Sequence, residues 1–246
     1  MNNLIAESAV IEKGVEIGRN VTIGEKTIIK SGTKICDGCI IGDECIIGEN
    51  SYVDFNVIIR NQVSLGKNAF VGARSILGEY LVDFIAERSL KAHPLVIGDD
   101  AVIRSETILY GDSEMGDGFQ TGHRVTIREK SKLGKHVRVG TLSDIQGYCE
   151  IGDYVNMHSN VHIGQLSKIE NYVWIFPYVV LTNDPNPPSE DLVGVTVEEF
   201  AIISTGSVVL PGVRIGRESL VGAGANVTKN VECGRVVVGN PAKDVG

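Results

Sequence analysis

An aliphatic residue returns at every sixth position over most of this chain. The register runs through Ile97, Ile103, Leu109, Met115, Thr121, Ile127, Leu133, Val139, Ile145, Ile151, Met157, Ile163, Ile169, Ile175 and Leu181, with Thr121 its one polar member. An earlier run keeps the same period from Ile5 to Leu77, and a third covers Val197 to Val227. A helix repeats every 3.6 residues and a strand every two, so a strict six predicts a solenoid of short strands joined by tight corners. We number each hexad from its aliphatic residue as place one. Place two is often glycine, as at Gly18, Gly24, Gly42 and Gly48, and place five is small or β-branched. Glycine there is expected to supply the positive φ of a corner, while places one and five point inward. Three hexads close one triangular coil, and successive coils pair through parallel strands about 4.8 Å apart. The expected fold class is therefore all-β, a parallel β-helix of hexapeptide repeats.

The register lapses twice, which divides the chain into N-terminal coils over 1–78, an insertion over 79–96, and a second run of coils over 97–246 with a C-terminal tail. In the insertion, Leu81, Phe84, Ile85 and Leu90 have the spacing of a short amphipathic helix. It is expected to end near Pro94 and to lie against the coils, where it covers a discontinuity between stacks or caps a substrate. The second lapse, the loop 182–196, begins Thr182-Asn183-Asp184-Pro185-Asn186-Pro187-Pro188. Proline cannot donate to a strand ladder and Asn and Asp favour turns, so this segment must leave the wall. A long loop on a rigid scaffold points to ligand binding or subunit contact.

Charge narrows the partners. The 246 residues carry 23 Lys and Arg against 31 Asp and Glu, a formal charge of −8, which disfavours nucleic acid as a partner. No apolar run approaches membrane length and no signal peptide opens the sequence, so the expected compartment is the cytoplasm. Of the five cysteines, Cys39, Cys45 and Cys149 occupy place five. That favours core filling over zinc or redox chemistry for the Cys36-x-x-Cys39 pair.

Three segments, Ile151 to Gly164, Val173 to Ser189 and Ser207 to Lys243 with its Gly239-Asn240-Pro241-Ala242-Lys243 close, resemble the nucleotide-sugar N-acetyltransferases of the hexapeptide-repeat acyltransferase superfamily. The Thr-Asn-Asp-Pro-Asn-Pro-Pro loop is the most specific of the shared features. The resemblance implies a left-handed coil, although right-handed crossovers are the general rule. It also implies acetyl-CoA as acyl donor with no metal, a nucleotide-linked amino sugar as acceptor, and a homotrimer whose active sites lie between subunits. Under it, the small corners Ser204-Thr205-Gly206 and Ala223-Gly224 admit the pantetheine arm, and Lys229, Arg235 and Lys243 meet the phosphates of CoA. Asn160, Asn183 and Asp184 fall where relatives bind the sugar.

Acetyl transfer to an amine needs a base, and histidine titrates near working pH. His158, within the resembling segment, is the first candidate. His162 is the second, because Asp144 lies one coil below it in the same outward place and would orient the ring. His123 is the third, and a proton carried by water or substrate is a fourth possibility; His93 and His136 are read as surface or packing residues. Other chemistries remain open. An O-acetyltransferase would need the same groups. A γ-carbonic-anhydrase-like hydratase needs three converging histidines at about 2.0 Å from zinc, yet His123 and His158 are two coils apart, about 9.6 Å along the axis. A non-catalytic sugar-nucleotide binder is the third alternative.

Overall fold

The structure, a computed structural model, describes residues 2–89, 91 and 93–246. It comprises two units, Met1–Val125 and Thr126–Gly246, and each is a stack of left-handed β-helical coils. In the first unit the strands Leu4–Ile5, Val10–Ile11 and Glu16–Ile17 make the opening coil. Each pairs in parallel with the strand one coil on: Ile5 with Ile23, Ile11 with Ile29, Ile17 with Ile35. Places six and one form each strand. Place one is buried, as at Ile23, Ile29, Ile41 and Ile47, and place six faces out.

The corners differ from the sequence expectation. Positive φ belongs to place four, taken by Asn20, Asn50, Asn56 and Asn68, with φ of 56°, 56°, 56° and 55°. Asparagine visits this region more readily than most side chains. Apart from Gly78, φ 78°, at the start of the insertion, the place-two glycines have ordinary φ and are required for another reason: a Cβ on Gly48 would sit 2.3 Å from the carbonyl carbon of Gly66 in the next coil. They permit coil-on-coil contact rather than the turn.

Place five fills the core and also satisfies corner amides. Thr27 donates to the Gly42 carbonyl at 2.7 Å and accepts from the Cys45 amide at 3.0 Å. Ser51 does the same for Gly66 and Ala69. The thiols of Cys39 and Cys45 donate to the carbonyls of Asp54 and Arg60, each at 3.0 Å. Burial pushes both thiols up to about 11, and Cys149 to about 12, as befits packing groups rather than nucleophiles. Thr121 is likewise buried, its hydroxyl accepting from the Arg104 amide at 3.0 Å.

Across the insertion the register jumps, with an irregularity between Leu77 and Glu79, yet each face stays paired: Val63 meets Leu95 and Leu65 meets Ile97, 32 residues apart instead of 18. Helix α1 spans only Val82–Glu87 and stops at Arg88 in the left-handed region, φ 55°, well short of Pro94. Six residues are fewer than two turns, too few for an apolar stripe to face the wall. Accordingly Val82 and Ile85 are exposed, while Leu81 is buried; Leu90 lies outside the described residues. The segment is anchored by its ends. Tyr80 stacks on Phe84 at 4.0 Å between ring centroids, and the Arg60 guanidinium lies 4.1 Å over the Tyr80 ring. His93 bridges two carboxylates, Asp112 through Nδ1 and Asp83 through Nε2, both at 2.9 Å.

The second unit repeats the same scheme. The loop adds residues without breaking a face, since Ile169 pairs with Val197 and Leu181 with Val209. One corner carries the ladder His136, Tyr154, Tyr172 and Phe200, all in place four, with centroids 4.8, 5.1 and 5.1 Å apart. The rings stack on one another from coil to coil while staying partly exposed, so the ladder holds coils together. At the C-terminal end the final coil is shorter. Val221 pairs with Val237, and Val236–Val238 then takes an antiparallel partner, Lys243–Asp244. No helix among the described residues is long and apolar enough to cross a membrane.

Candidate active site

A different corner of the second unit gathers most of the sequence candidates. Its place-four residues, in successive coils, are Leu142, Asn160, Tyr178, Gly206 and Gly224, each with positive φ. Backbone bonds tie the rungs: the Tyr178 amide to the Ser159 carbonyl at 3.3 Å, Gly206 to Pro177 at 2.9 Å, and Gly224 to Thr205 at 2.9 Å. From Asn160 to Gly224 is three coil spacings, about 14 Å. Around the positions a Cβ would take on Gly206 and Gly224, no atom lies within 4 Å. Thr205 and Ala223 are exposed and Ser204 half-buried, so the upper half of this corner is an open track of small residues.

His158 and His162 flank Asn160 on either side of the corner. Ser143 braces the turn between them: its hydroxyl donates to the His158 carbonyl at 3.0 Å and accepts from the Val161 amide at 3.1 Å. The two imidazoles have different surroundings. His158 is exposed, stacked on Phe176 at 5.0 Å and tilted against Trp174 at 6.4 Å. His162 is held by a carboxylate, with Nδ1 3.1 Å from Asp144 Oδ2, and its strand pairs with that of Asp144 residue for residue. Partial burial pushes the Asp144 carboxyl up, but hydrogen bonds from His162 and Gln146 outweigh it and hold the group below its ordinary value. The aspartate is thus anionic at neutral pH, and an anion can only accept. Gln146 supplies the second bond, Nε2 to Asp144 Oδ2 at 2.6 Å. Periodicity alone does not single out Gln146 or Ser143; the available signal is a glutamine in place two, where glycine is common.

Other candidates fall as follows. The Asp184 carboxylate accepts from the Ser189 amide and hydroxyl and the Asn186 amide, at 2.9, 2.8 and 3.0 Å; it staples the head of its own loop. Thr182 donates to the Val209 carbonyl at 2.9 Å. Half-exposed Asn183 sits over Gly164, where an added Cβ would come within 3.0 Å of its own. Lys229 and Arg235 line a recess at the C-terminal coil that also holds Glu232 and Asp244, and Arg235 pairs with Asp244 at 3.3 Å. Lys243 is exposed on the return strand. His123 belongs to the first unit, exposed beside Arg124. Among the described residues no three His, Cys, Asp or Glu side chains converge as metal ligands would.

Comparison with known proteins gives partial matches. Residues 1–113 match the family described as the GMPPB C-terminal domain, and residues 205–229 match the hexapeptide repeat of succinyl-transferase. The 2,3,4,5-tetrahydropyridine-2,6-dicarboxylate N-acetyltransferase of Staphylococcus aureus (strain JH9) is 44% identical over 64 residues, 26% of this chain and 26% of that protein. The match thus spans about a quarter of the length of the curated relatives. Among solved structures, LpxA from Acinetobacter baumannii is 18% identical with a TM-score of 0.41, covering 99% of this chain and 74% of its own. WeeI from Acinetobacter baumannii AYE is 18% identical with a TM-score of 0.43, covering 72% and 85%. Soybean serine acetyltransferase apoenzyme is 23% identical with a TM-score of 0.36, covering 47% and 40%.

Proposed function

We propose that this chain, which belongs to the hexapeptide-repeat acyltransferase superfamily, transfers an acetyl group from acetyl-CoA to the amine of a nucleotide-linked amino sugar, in the synthesis of surface-polysaccharide precursors. The His162–Asp144 pair beside an open corner of glycines carries this proposal. With its Nδ1 proton donated to Asp144, a neutral His162 presents the lone pair of Nε2 to an incoming amine. The amine nitrogen attacks the thioester carbonyl, the C–N bond forms and the C–S bond breaks. Nε2 takes the proton from nitrogen and returns it to the departing thiolate, giving the amide and free CoA thiol. The geometry favours His162 over His158, whose ring is committed to Phe176 and Trp174.

The acyl donor would lie along the corner, its pantetheine arm against Ser204, Thr205, Gly206, Ala223 and Gly224. Lys229 and Lys243 would face its phosphates, with Arg235 already shared with Asp244. Asn160 and Asn183 would receive the sugar, and Asp184 would shape the loop that bears Asn183. The amino-sugar acceptor rests on the resemblance of the loop 182–196, and a sugar hydroxyl could be acylated by the same groups. We place the reaction in the cytoplasm, in keeping with five free thiols.

A homotrimer is part of the proposal. One face of the first unit supports self-association: its outward places, Leu4, Thr22, Ile40, Ile58, Ile76 and Ile108, form a continuous vertical stripe, aliphatic but for the threonine. Leu4 is 69% and Ile40 47% exposed, an apolar surface of the kind that another copy would cover.

The decisive experiment follows free thiol release from acetyl-CoA across UDP- and dTDP-linked amino sugars. One acceptor should give turnover, and His162→Ala should lower kcat by about 10² to 10⁴ with CoA binding retained. A wild-type rate in His162→Ala would transfer the role to His158, and absence of thiol release with every acceptor would remove the acetyltransferase assignment.

A further inference from the structure

The His162–Asp144 pair is the end of a longer chain of side chains within the second unit. Arg128 donates to both oxygens of Glu129, Nε to Oε2 at 3.1 Å and Nη2 to Oε1 at 2.8 Å, and its Nη1 donates to Gln146 Oε1 at 3.3 Å. Glu129 is buried, only 9% exposed, which fixes the guanidinium in place. Gln146 Nε2 then donates to Asp144 Oδ2, and His162 Nδ1 shares that same oxygen.

Hydrogen-bond capacity allows one direction through this chain. A guanidinium donates only and a carboxylate accepts only, so the amide between them must turn its oxygen to Arg128 and its nitrogen to Asp144. The reversed amide would face donor with donor and acceptor with acceptor. Asp144, held from one side by Gln146, is left to accept from His162, and the ring proton must reside on Nδ1. Free histidine prefers the proton on Nε2, so this is an imposed tautomer.

We propose that Gln146, its amide polarity set by Arg128, is a positioning residue that holds the Asp144 carboxylate against His162 Nδ1, and through it fixes the Nδ1–H tautomer and keeps the Nε2 lone pair directed to the reacting amine. The catalytic consequence rests on the acetyltransferase proposal above; the tautomer itself does not.

The test reads the two separately. Imidazole nitrogen chemical shifts of His162 are measured by NMR in the full chain without acyl donor, above the pH at which the ring is neutral, using His162→Ala to assign the signals. The unsubstituted protein should show Nδ1–H, and Gln146→Met, nearly isosteric, leaves the Asp144 carboxylate unheld and free to turn from the ring, so it should restore the ordinary Nε2–H preference with far-ultraviolet circular dichroism unchanged. Gln146→Leu, which also removes the donor that holds Asp144, should do the same and covers the case in which Gln146→Met folds poorly. Retention of Nδ1–H in a folded Gln146 variant, or Nε2–H in the unsubstituted protein, overturns the inference whether or not acetyl transfer is found. Where turnover is measurable, Gln146→Met should lower kcat about tenfold, less than the roughly 10² to 10⁴ expected for loss of the base itself, with KM for both substrates unchanged. A rise in KM alone would make Gln146 a substrate contact instead.

Discussion

Glycine has two separate uses in this chain. At place four it relieves a left-handed backbone, as at Gly14 with φ 80°, where the nearest atom to an added Cβ is 3.8 Å away. At place two it makes room for the coil above, as at Gly48, where the obstacle is backbone 2.3 Å away. Substitution should separate them. Gly14→Ala should cost about 1 kcal/mol, the strain of one side chain in that region. Gly48→Ala must push two coils apart and should cost about 3 kcal/mol, as overpacking does; calorimetric midpoints would show the order, and equal shifts would refute it. Sequence spacing could not separate these roles, because a hexad shows where glycine recurs but not which residue turns the chain. The site was partly legible for the same reason. Asp144 and His162 could be paired by counting one coil, since a stacked register makes that separation a contact. Gln146 could not, because its role depends on which way an amide points.

Element by element, what the repeat could not encode is what interrupts it. The position of the insertion was evident from the lapse between Leu77 and Ile97, yet a helical spacing says nothing of how many turns will form. Among the described residues of the segment only Val82–Glu87 is helical, and side chains at its ends, not an apolar stripe, hold it. His93 is the main tie. Burial alone would pull its pKa down, but hydrogen bonds to Asp112 and Asp83 outweigh that and raise it above the ordinary value. Around it, Lys91 pairs with Glu87 at 2.9 Å and faces Asp83 at 3.7 Å, and Arg60 faces Glu79 at 3.7 Å. A histidine whose folded pKa is raised stabilises fully below its unfolded value, about 6.5, and the contribution disappears as pH climbs through the folded value. Segment 79–96 should therefore gain amide exchange, corrected for intrinsic rates, between mildly acidic and mildly alkaline buffer, while the coil strands do not. His93→Gln should abolish that difference; a pH-dependent gain that survives the substitution would rule out His93 as its source.

At the scale of the whole molecule, the trimer is the claim most open to test. Sedimentation at micromolar concentration should give three times the 26.5 kDa chain mass. Ile58→Lys with Ile76→Lys, which charges the middle of the outward aliphatic stripe, should shift the species toward monomer without changing circular dichroism. An unaltered trimer would place the contact on another face. The C-terminal end has a consequence of its own. A solenoid that ends on an open strand could template further strands indefinitely and run into fibres, since each new coil would find backbone donors and acceptors waiting. Here the last strand of one face, Val236–Val238, is already paired in the opposite sense by Lys243–Asp244, which brings one charge of each sign to the rim. A parallel newcomer finds that edge taken. The short return strand thus occupies the edge that a further parallel strand would need, and deleting residues 240–246 should favour end-to-end association, visible as rising light scattering.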